Sequence, residues 1–302
     1  MSAQSTKSRA QFTDPGLLVV DKPSGMTSHD VVARARKLLG TRAVGHAGTL
    51  DPMATGVLVL GVNRATKLLG HLALDDKAYL ATIRLGVATT TDDAEGEPTG
   101  GADASGVSDA AIAAGIAVLT GDIRQVPSSV SAVKIGGRRA YQLVREGERV
   151  ELPARPVTVA RFDVLATRRE DAVVDLDVMV ECSTGTYVRA LARDLGAGLG
   201  VGGHLTALRR TRVGPFGLRA ARTLDQLAEA PGLSLGLDAA VAAAFPRRDV
   251  DHAGAADLTH GRPLAPAGIE GTYGVFGPDG QVIGLVVERE GLARPVLVLR
   301  GA

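Results

Sequence analysis

Strand-length apolar runs alternate with helix-length amphipathic runs along nearly the whole chain, and this interleaving narrows the available folds more than any other feature. Residues 16–21 (GLLVVD) have the pattern of a short buried strand, closed by the turn Lys22-Pro23-Ser24-Gly25. Thr27-Ser28-His29-Asp30 has capping-box spacing. Behind it Val31, Val32, Ala35, Leu38 and Leu39 share one helical face, and Gly40 stands where a C-terminal cap belongs. A short strand is expected at 42–45, a glycine-rich loop at 46–56, a strand at 57–62 and a short helix capped by Asn63. Residues 77–87 alternate, which puts Tyr79, Ala81, Ile83, Leu85 and Val87 on one side of a strand. The acidic, glycine-rich stretch 89–106 reads as a loop. Helices are expected at 108–119, 139–145 and 186–195, and strands at 157–166, 172–182 and 205–213. Residues 222–245 read as helix interrupted at Pro231. Past Pro246 the texture becomes short strands at 271–276, 281–287 and 295–299, the first two joined through Pro278-Asp279-Gly280. The order predicts a mixed α/β main domain over 15–245, preceded by a mobile tail over 1–14 and followed by a small, mostly β domain over 246–302.

Composition bounds the chemistry. Tryptophan is absent and aromatics make up 3%, so the core must be aliphatic and each of the four tyrosines is worth tracing. A single cysteine, Cys182, excludes a disulfide framework, and His29, His71, His204, His252 and His260 form no metal-ligand spacing with it. Neither a metal nor a cofactor is expected. No apolar run is long enough to span a bilayer and the first residues are polar, so a reducing, cytoplasmic setting without membrane attachment is expected. The net charge of +1 hides an uneven distribution: +5 over 1–70, −6 over 71–120, +6 over 121–222 and −4 over 223–302. Two basic blocks flanking an acidic one permit a basic face without indiscriminate nucleic-acid coating.

The densest run of unusual residues is Gly45-His46-Ala47-Gly48-Thr49-Leu50-Asp51-Pro52-Met53-Ala54-Thr55-Gly56. Glycine permits backbone conformations that other residues resist, and Pro52 restricts Asp51 to extended geometry. Such a loop can hold one carboxylate outward at a fixed angle. The same composition also describes a connecting turn in which Asp51 bonds nearby amides.

This loop closely resembles the G-H-x-G-x-L-D-P-x-A-T-G signature of the TruB family of tRNA pseudouridine synthases. Asp21-Lys22-Pro23-Ser24-Gly25-Met26-Thr27-Ser28 is similar to the family's D-K-P-x-G-x-T-S element, and Lys77-Ala78-Tyr79 to its K-x-Y strand. Ser183-Thr184-Gly185-Thr186-Tyr187-Val188-Arg189 resembles S-x-G-T-Y-I/V-R. Gly203-His204-Leu205-Thr206-Ala207-Leu208-Arg209-Arg210 is similar to the family's Leu-Arg-Arg element. Five collinear matches over roughly 17–223 carry far more weight than one Asp-Pro turn.

The resemblance implies an α+β catalytic domain on a largely antiparallel sheet flanked by helices, with a small PUA-like RNA-binding domain at the C-terminus. It implies detachment of uracil from N1 and reattachment through C5 at the T-arm uridine, tRNA position 55, an isomerisation that consumes no cofactor. Asp51 would be the catalytic carboxylate, as nucleophile or as base. Arg189 would keep it ionised and directed, although outside the matched segment it reads as a surface helix residue. Tyr79 would stack on the flipped base and serve in proton transfer at C5, Tyr187 would pack beneath, and Leu208 would wall the uracil pocket. His46 would wedge into the RNA. Lys22, Arg209 and Arg210 would contact substrate, with Arg124, Lys134, Arg138, Arg139, Arg145 and Arg212 as further phosphate contacts. The stand-alone pattern implies a monomer acting on tRNA without guide RNA or partner protein. Two rivals are a noncatalytic RNA-binding protein on the same scaffold and a metal hydrolase using His46 and Asp51. The first has no need of an RNA-facing carboxylate, and the second lacks further ligands.

Overall fold

Capping, alternation and glycine breaks divide the chain into many short elements, which the computed structural model describes for residues 12–73, 76–128, 134–135, 138–139 and 152–301. In chain order the strands are β1 (Gly16–Lys22), β2 (Val44–Ala47), β3 (Thr55–Val62), β4 (Lys77–Leu85), β5 (Ala88–Thr89) and β6 (Pro98–Gly100). Next come β7 (Gly121–Gln125), β8 (Lys134–Ile135), β9 (Arg138–Arg139), β10 (Arg155–Glu170), β11 (Val173–Cys182) and β12 (Gly203–Val213). The last six are β13 (Phe216–Gly217), β14 (Leu235–Gly236), β15 (Arg247–Asp249), β16 (Thr272–Phe276), β17 (Val282–Arg289) and β18 (Leu292–Val298). The helices are α1 (Ser28–Leu39), α2 (Leu69–Leu72), α3 (Asp109–Val118), α4 (Val188–Gly198), α5 (Leu224–Glu229), α6 (Leu237–Ala244) and α7 (His252–Thr259). Two compact units result. One draws on the described residues within Met1–Pro52, Gly56–Ala73 and Gly214–Ala302, the other on those within Met53–Thr55 and Leu74–Val213.

In the first unit β1 lies antiparallel between β3 and β14, with Val19 opposite Val59, and β2 pairs with the far side of β3. Both β1 and β3 are buried nearly throughout, as continuous apolar runs require when both faces are covered. Helix α1 forms as its sequence predicts. The Thr27 side chain accepts from Asp30 N, Asp30 answers the Thr27 backbone, and Gly40 ends the helix in the left-handed region. A separate four-stranded sheet, β15-β16-β17-β18, is antiparallel except for β15 against β16. Its apolar cluster gathers Leu258 of α7 with Leu264, Tyr273, Val275, Ile283, Val286 and Ala293. Asp238 on α6 ties this sheet down, accepting from Val282 N at 2.7 Å and from Arg300 at 3.0 Å.

The second unit is an antiparallel run, β12-β4-β11-β10-β7. Strand β11 alternates strictly: Val174, Leu176, Val178, Val180 and Cys182 are buried, and Asp175, Asp177, Met179 and Glu181 face outward. The outward carboxylates meet arginines of the same sheet: Arg84 of β4 with Asp175 at 2.7 Å, Arg168 of β10 with Asp177, and Arg212 of β12, two strands away, with Glu181 at 2.9 Å.

Several elements differ from expectation. His46 lies on β2 rather than in the loop, because Val44–Ala47 pairs with β3. Asn63 does not cap its helix. It takes a left-handed φ of 53°, and its side chain accepts from Thr41 and donates to the Phe12 and Asp14 carbonyls, which holds residues 12–14. The stretch expected as loop at 89–106 contains the β5–β6 hairpin, and α4 starts at Val188 rather than at 186. Strand β10 runs on to Glu170, and the helical stretch 222–245 is two helices separated around Pro231. Strand β15 and helix α7 were not anticipated. The helix expected at 139–145 starts on a two-residue strand, and 140–145, like 1–11, lies outside the described residues.

Candidate active site

Asp51 lies in the link between β2 and β3, and the residues on either side of it are pinned. Ser28, buried at the start of α1, accepts from Leu50 N at 2.8 Å and donates to Leu50 O at 3.0 Å. Pro52 O accepts from Gly25 N at 2.9 Å and from the Lys22 ammonium at 3.1 Å. Gly48, at φ 81°, allows the chain to leave β2 in a direction closed to other residues. Asp51 is therefore a half-buried carboxylate between two fixed peptide units. Lys22 itself is fully buried, and its ammonium also donates to Pro23 O at 2.9 Å and Met26 O at 2.6 Å. A buried ammonium requires such partners, and this placement makes Lys22 a loop anchor instead of the substrate contact expected from sequence. His46 is half-buried, and its ring meets the exposed His29 ring edge-on, centroids 5.4 Å apart.

The second unit holds Tyr79, Tyr187, Arg189, Leu208, Arg209 and Arg210. Tyr79 on β4 is buried directly opposite Arg210 on β12, and Leu208 is buried opposite Ala81, so the four share one face of the sheet. Arg210 is only 1% exposed, which does not suit the phosphate contact expected of it. Arg209 is half-buried and donates to Thr55 Oγ1 at 3.3 Å, Arg212 pairs with Glu181, and Arg124 donates to Ala154 O. Lys134, Arg138 and Arg139 fall on β8 and β9, while Arg145 lies outside the described residues.

Tyr187 immediately precedes α4, where buried Gln125 grips its backbone from both sides: Tyr187 N donates to Oε1 at 2.8 Å and Nε2 donates to Tyr187 O at 3.1 Å. Arg189 follows on the first turn, buried. Its Nη1 donates to Thr91 O at 2.9 Å and pairs with Asp93 Oδ2 at 3.2 Å, both side chains being almost fully enclosed. Asp93 is itself held by Thr91 Oγ1 at 2.5 Å and Glu95 N at 3.1 Å. Beside it, burial pushes the Asp92 carboxyl above its usual range, against the pull of Arg193 and Arg189. Asp92, Asp93, Gln125, Arg193 and Ser28 were missed in the sequence. Adjacent aspartates in an acidic, glycine-rich stretch look like any solvated turn, and no local pattern announces partners about a hundred positions away.

Among the described residues no helix is long and apolar enough to cross a membrane. The family model described as TruB family pseudouridylate synthase (N terminal domain) matches residues 36–188. Those described as tRNA pseudouridylate synthase B C-terminal domain and tRNA Pseudouridine synthase II, C terminal match 189–238 and 245–300. The tRNA pseudouridine synthase B of Rhodococcus jostii (strain RHA1) is 65% identical over 303 residues, covering 100% of this chain and 99% of that protein. Its counterpart in Nocardia farcinica (strain IFM 10152) is 67% identical over 285 residues, covering 94% of this chain and 93% of the relative. A solved Cbf5-Nop10-Gar1 complex contains a chain of similar fold, with TM-score 0.72 and 25% identity, covering 99% of this chain and 92% of that one.

Proposed function

Since the chain belongs to the TruB family of pseudouridylate synthases, we propose that it converts the T-arm uridine at tRNA position 55 to pseudouridine, with Asp51 as the catalytic carboxylate. Its enzyme class, a tRNA pseudouridine synthase, follows from whole-length relatives that carry that name at 65% and 67% identity. The reaction breaks the N1–C1′ bond and forms a C5–C1′ bond, and the proton that leaves C5 is balanced by one taken up at N1. Nothing is oxidised or reduced.

The observation that carries the role of Asp51 is the pinning of both flanking peptides, Leu50 by Ser28 and Pro52 by Gly25 and Lys22. A carboxylate that must meet a sugar or base at one angle gains most from a backbone that cannot swing. Arg189 is proposed as the cation that keeps Asp51 ionised, supported by its enclosure and by its ion pair with the fixed Asp93. Tyr79 is proposed to stack on the extruded uracil and to serve in proton transfer at C5, with Leu208 lining the same sheet face. Tyr187 is proposed to pack beneath, and His46 to enter the RNA fold. Residues 246–302 are proposed as the accessory RNA-binding domain.

The test is chemical pseudouridine mapping of an unmodified tRNA transcript incubated with the purified protein alone, beside Asp51→Ala. One modified T-arm position with wild type and none with the variant is the expected result. No product with wild type, or equal product with the variant, removes the assignment. Dependence on an added guide RNA or partner protein would remove its stand-alone character.

A further inference from the structure

The turn between β5 and β6 carries two consecutive buried aspartates, and each meets an arginine of the same helix. Arg189 and Arg193 are four residues apart on α4, hence neighbours on one helical face. The turn's two acceptors for Arg189, Thr91 O and Asp93 Oδ2, meet the same nitrogen, Nη1. Arg193 meets the same turn one helical turn further along, its Nη1 reaching Asp92 Oδ2 at 3.1 Å. Attachments spaced along the helix brace the turn against rotation.

The backbone is arranged for this. Asp92 adopts φ 60°, an uncommon conformation for a residue with a side chain, which persists where its surroundings over-determine it. Its carbonyl accepts from Leu205 N at 3.0 Å, which joins the turn to β12 three residues before Leu208. Arg193 also donates through Nη2 to Val126 O at 2.7 Å and through Nε to Asp194 at 2.8 Å. It thereby gathers α4, the aspartate turn and the segment after β7, next to the Gln125 that grips Tyr187.

We propose that Asp92 and Arg193 form a positioning pair that fixes the Arg189 guanidinium for the chemical step; the proposal rests on the reading of this chain as a pseudouridine synthase. Neither residue is catalytic, because each acts through Arg189 and Asp93. The charged groups facing Asp92 are Arg193, Arg189 and Asp194, of which the arginines favour its ionised form and Asp194 opposes it. Loss of Arg193 removes one favouring charge, so Asp92 takes up its proton at higher pH than in the intact protein.

The test is single-turnover pseudouridine formation and tRNA affinity, measured from pH 5.5 to 8.5 for wild type, Arg193→Met, Arg193→Lys, Asp92→Asn and the double variant Asp92→Asn/Arg193→Met. Arg193→Met and Asp92→Asn are each expected to slow the chemical step about 10- to 100-fold, with affinity within about twofold. The double variant should be no slower than the worse single, because the pair acts as one unit. Arg193→Lys should recover part of the rate. Arg193→Met should lose rate more steeply than wild type as pH falls, and Asp92→Asn should abolish that extra loss. Unchanged rates, additive losses, or a defect confined to tRNA affinity would overturn the positioning role. A wild type without activity would instead remove the underlying enzymatic reading.

Discussion

An ammonium leaves water only where oxygens replace its hydration, and Lys22 meets that condition with the carbonyls of Pro23, Met26 and Pro52. The third of these adjoins Asp51, so the charge of Lys22 helps to hold the backbone of the carboxylate. Lys22→Met keeps the stem but removes the ammonium from three carbonyls, and urea unfolding should show a loss of about 2–4 kcal/mol. Lys22→Arg, bulkier and planar, should not restore full stability, because a guanidinium presents its donors in one plane. A variant as stable as wild type would mean that the three bonds are worth nothing in context. The resemblance implies a substrate contact for Lys22, and a lysine before Pro-Ser-Gly has nothing local to mark it as buried. Its third acceptor lies thirty positions downstream, and only the folded chain brings it near. The loop that carries Asp51 was legible for the opposite reason: the glycines and the proline that shape it are immediate neighbours in the chain.

Helix α4 presents Tyr187 and Arg189 from its start and depends on close contact near its end. A methyl group added at Gly196 would sit 2.2 Å from Gly203 N and 2.5 Å from Gly202 O, so the helix rests directly on the backbone that leads into β12. Gly196→Ala should therefore destabilise the protein by about 1–3 kcal/mol, through overpacking against backbone that cannot move aside. Gly198→Ala, two residues on with nothing within 4 Å, should be neutral or stabilising by up to about 1 kcal/mol. Thermal unfolding of both variants checks the contrast, and equal effects would refute the close approach. Elements specified by local rules were the legible ones. Helix α1 needed only Thr27, Asp30, its apolar face and Gly40, all within fourteen residues. The β5–β6 hairpin was read as loop because its acidic residues acquire meaning only from Arg189 and Arg193. Asn63 was misread for a related reason: its side chain has the chemistry of a helix cap but serves as a tether to Thr41, Phe12 and Asp14.

At the scale of the molecule, the alternation of strands and helices announced a mixed α/β protein, and the order of five short motifs announced the family to which the chain belongs. The division into compact units was not legible, because one unit is assembled from segments at both ends of the chain. Nor could window charges show that arginines over 121–222 are spent on their own sheet, where Arg168 and Arg212 meet the outward carboxylates of β11. The proposed function depends on one carboxylate, Asp51, between two pinned peptide units. The most direct measurement is release of tritium from tRNA labelled at uracil C5, under single turnover, with wild type and Asp51→Asn and with tRNA binding measured in parallel. Asp51→Asn should bind tRNA within about threefold of wild type while releasing tritium at least about 1000-fold more slowly. Release by Asp51→Asn within about tenfold of wild type, at equal RNA affinity, would contradict the role given to Asp51.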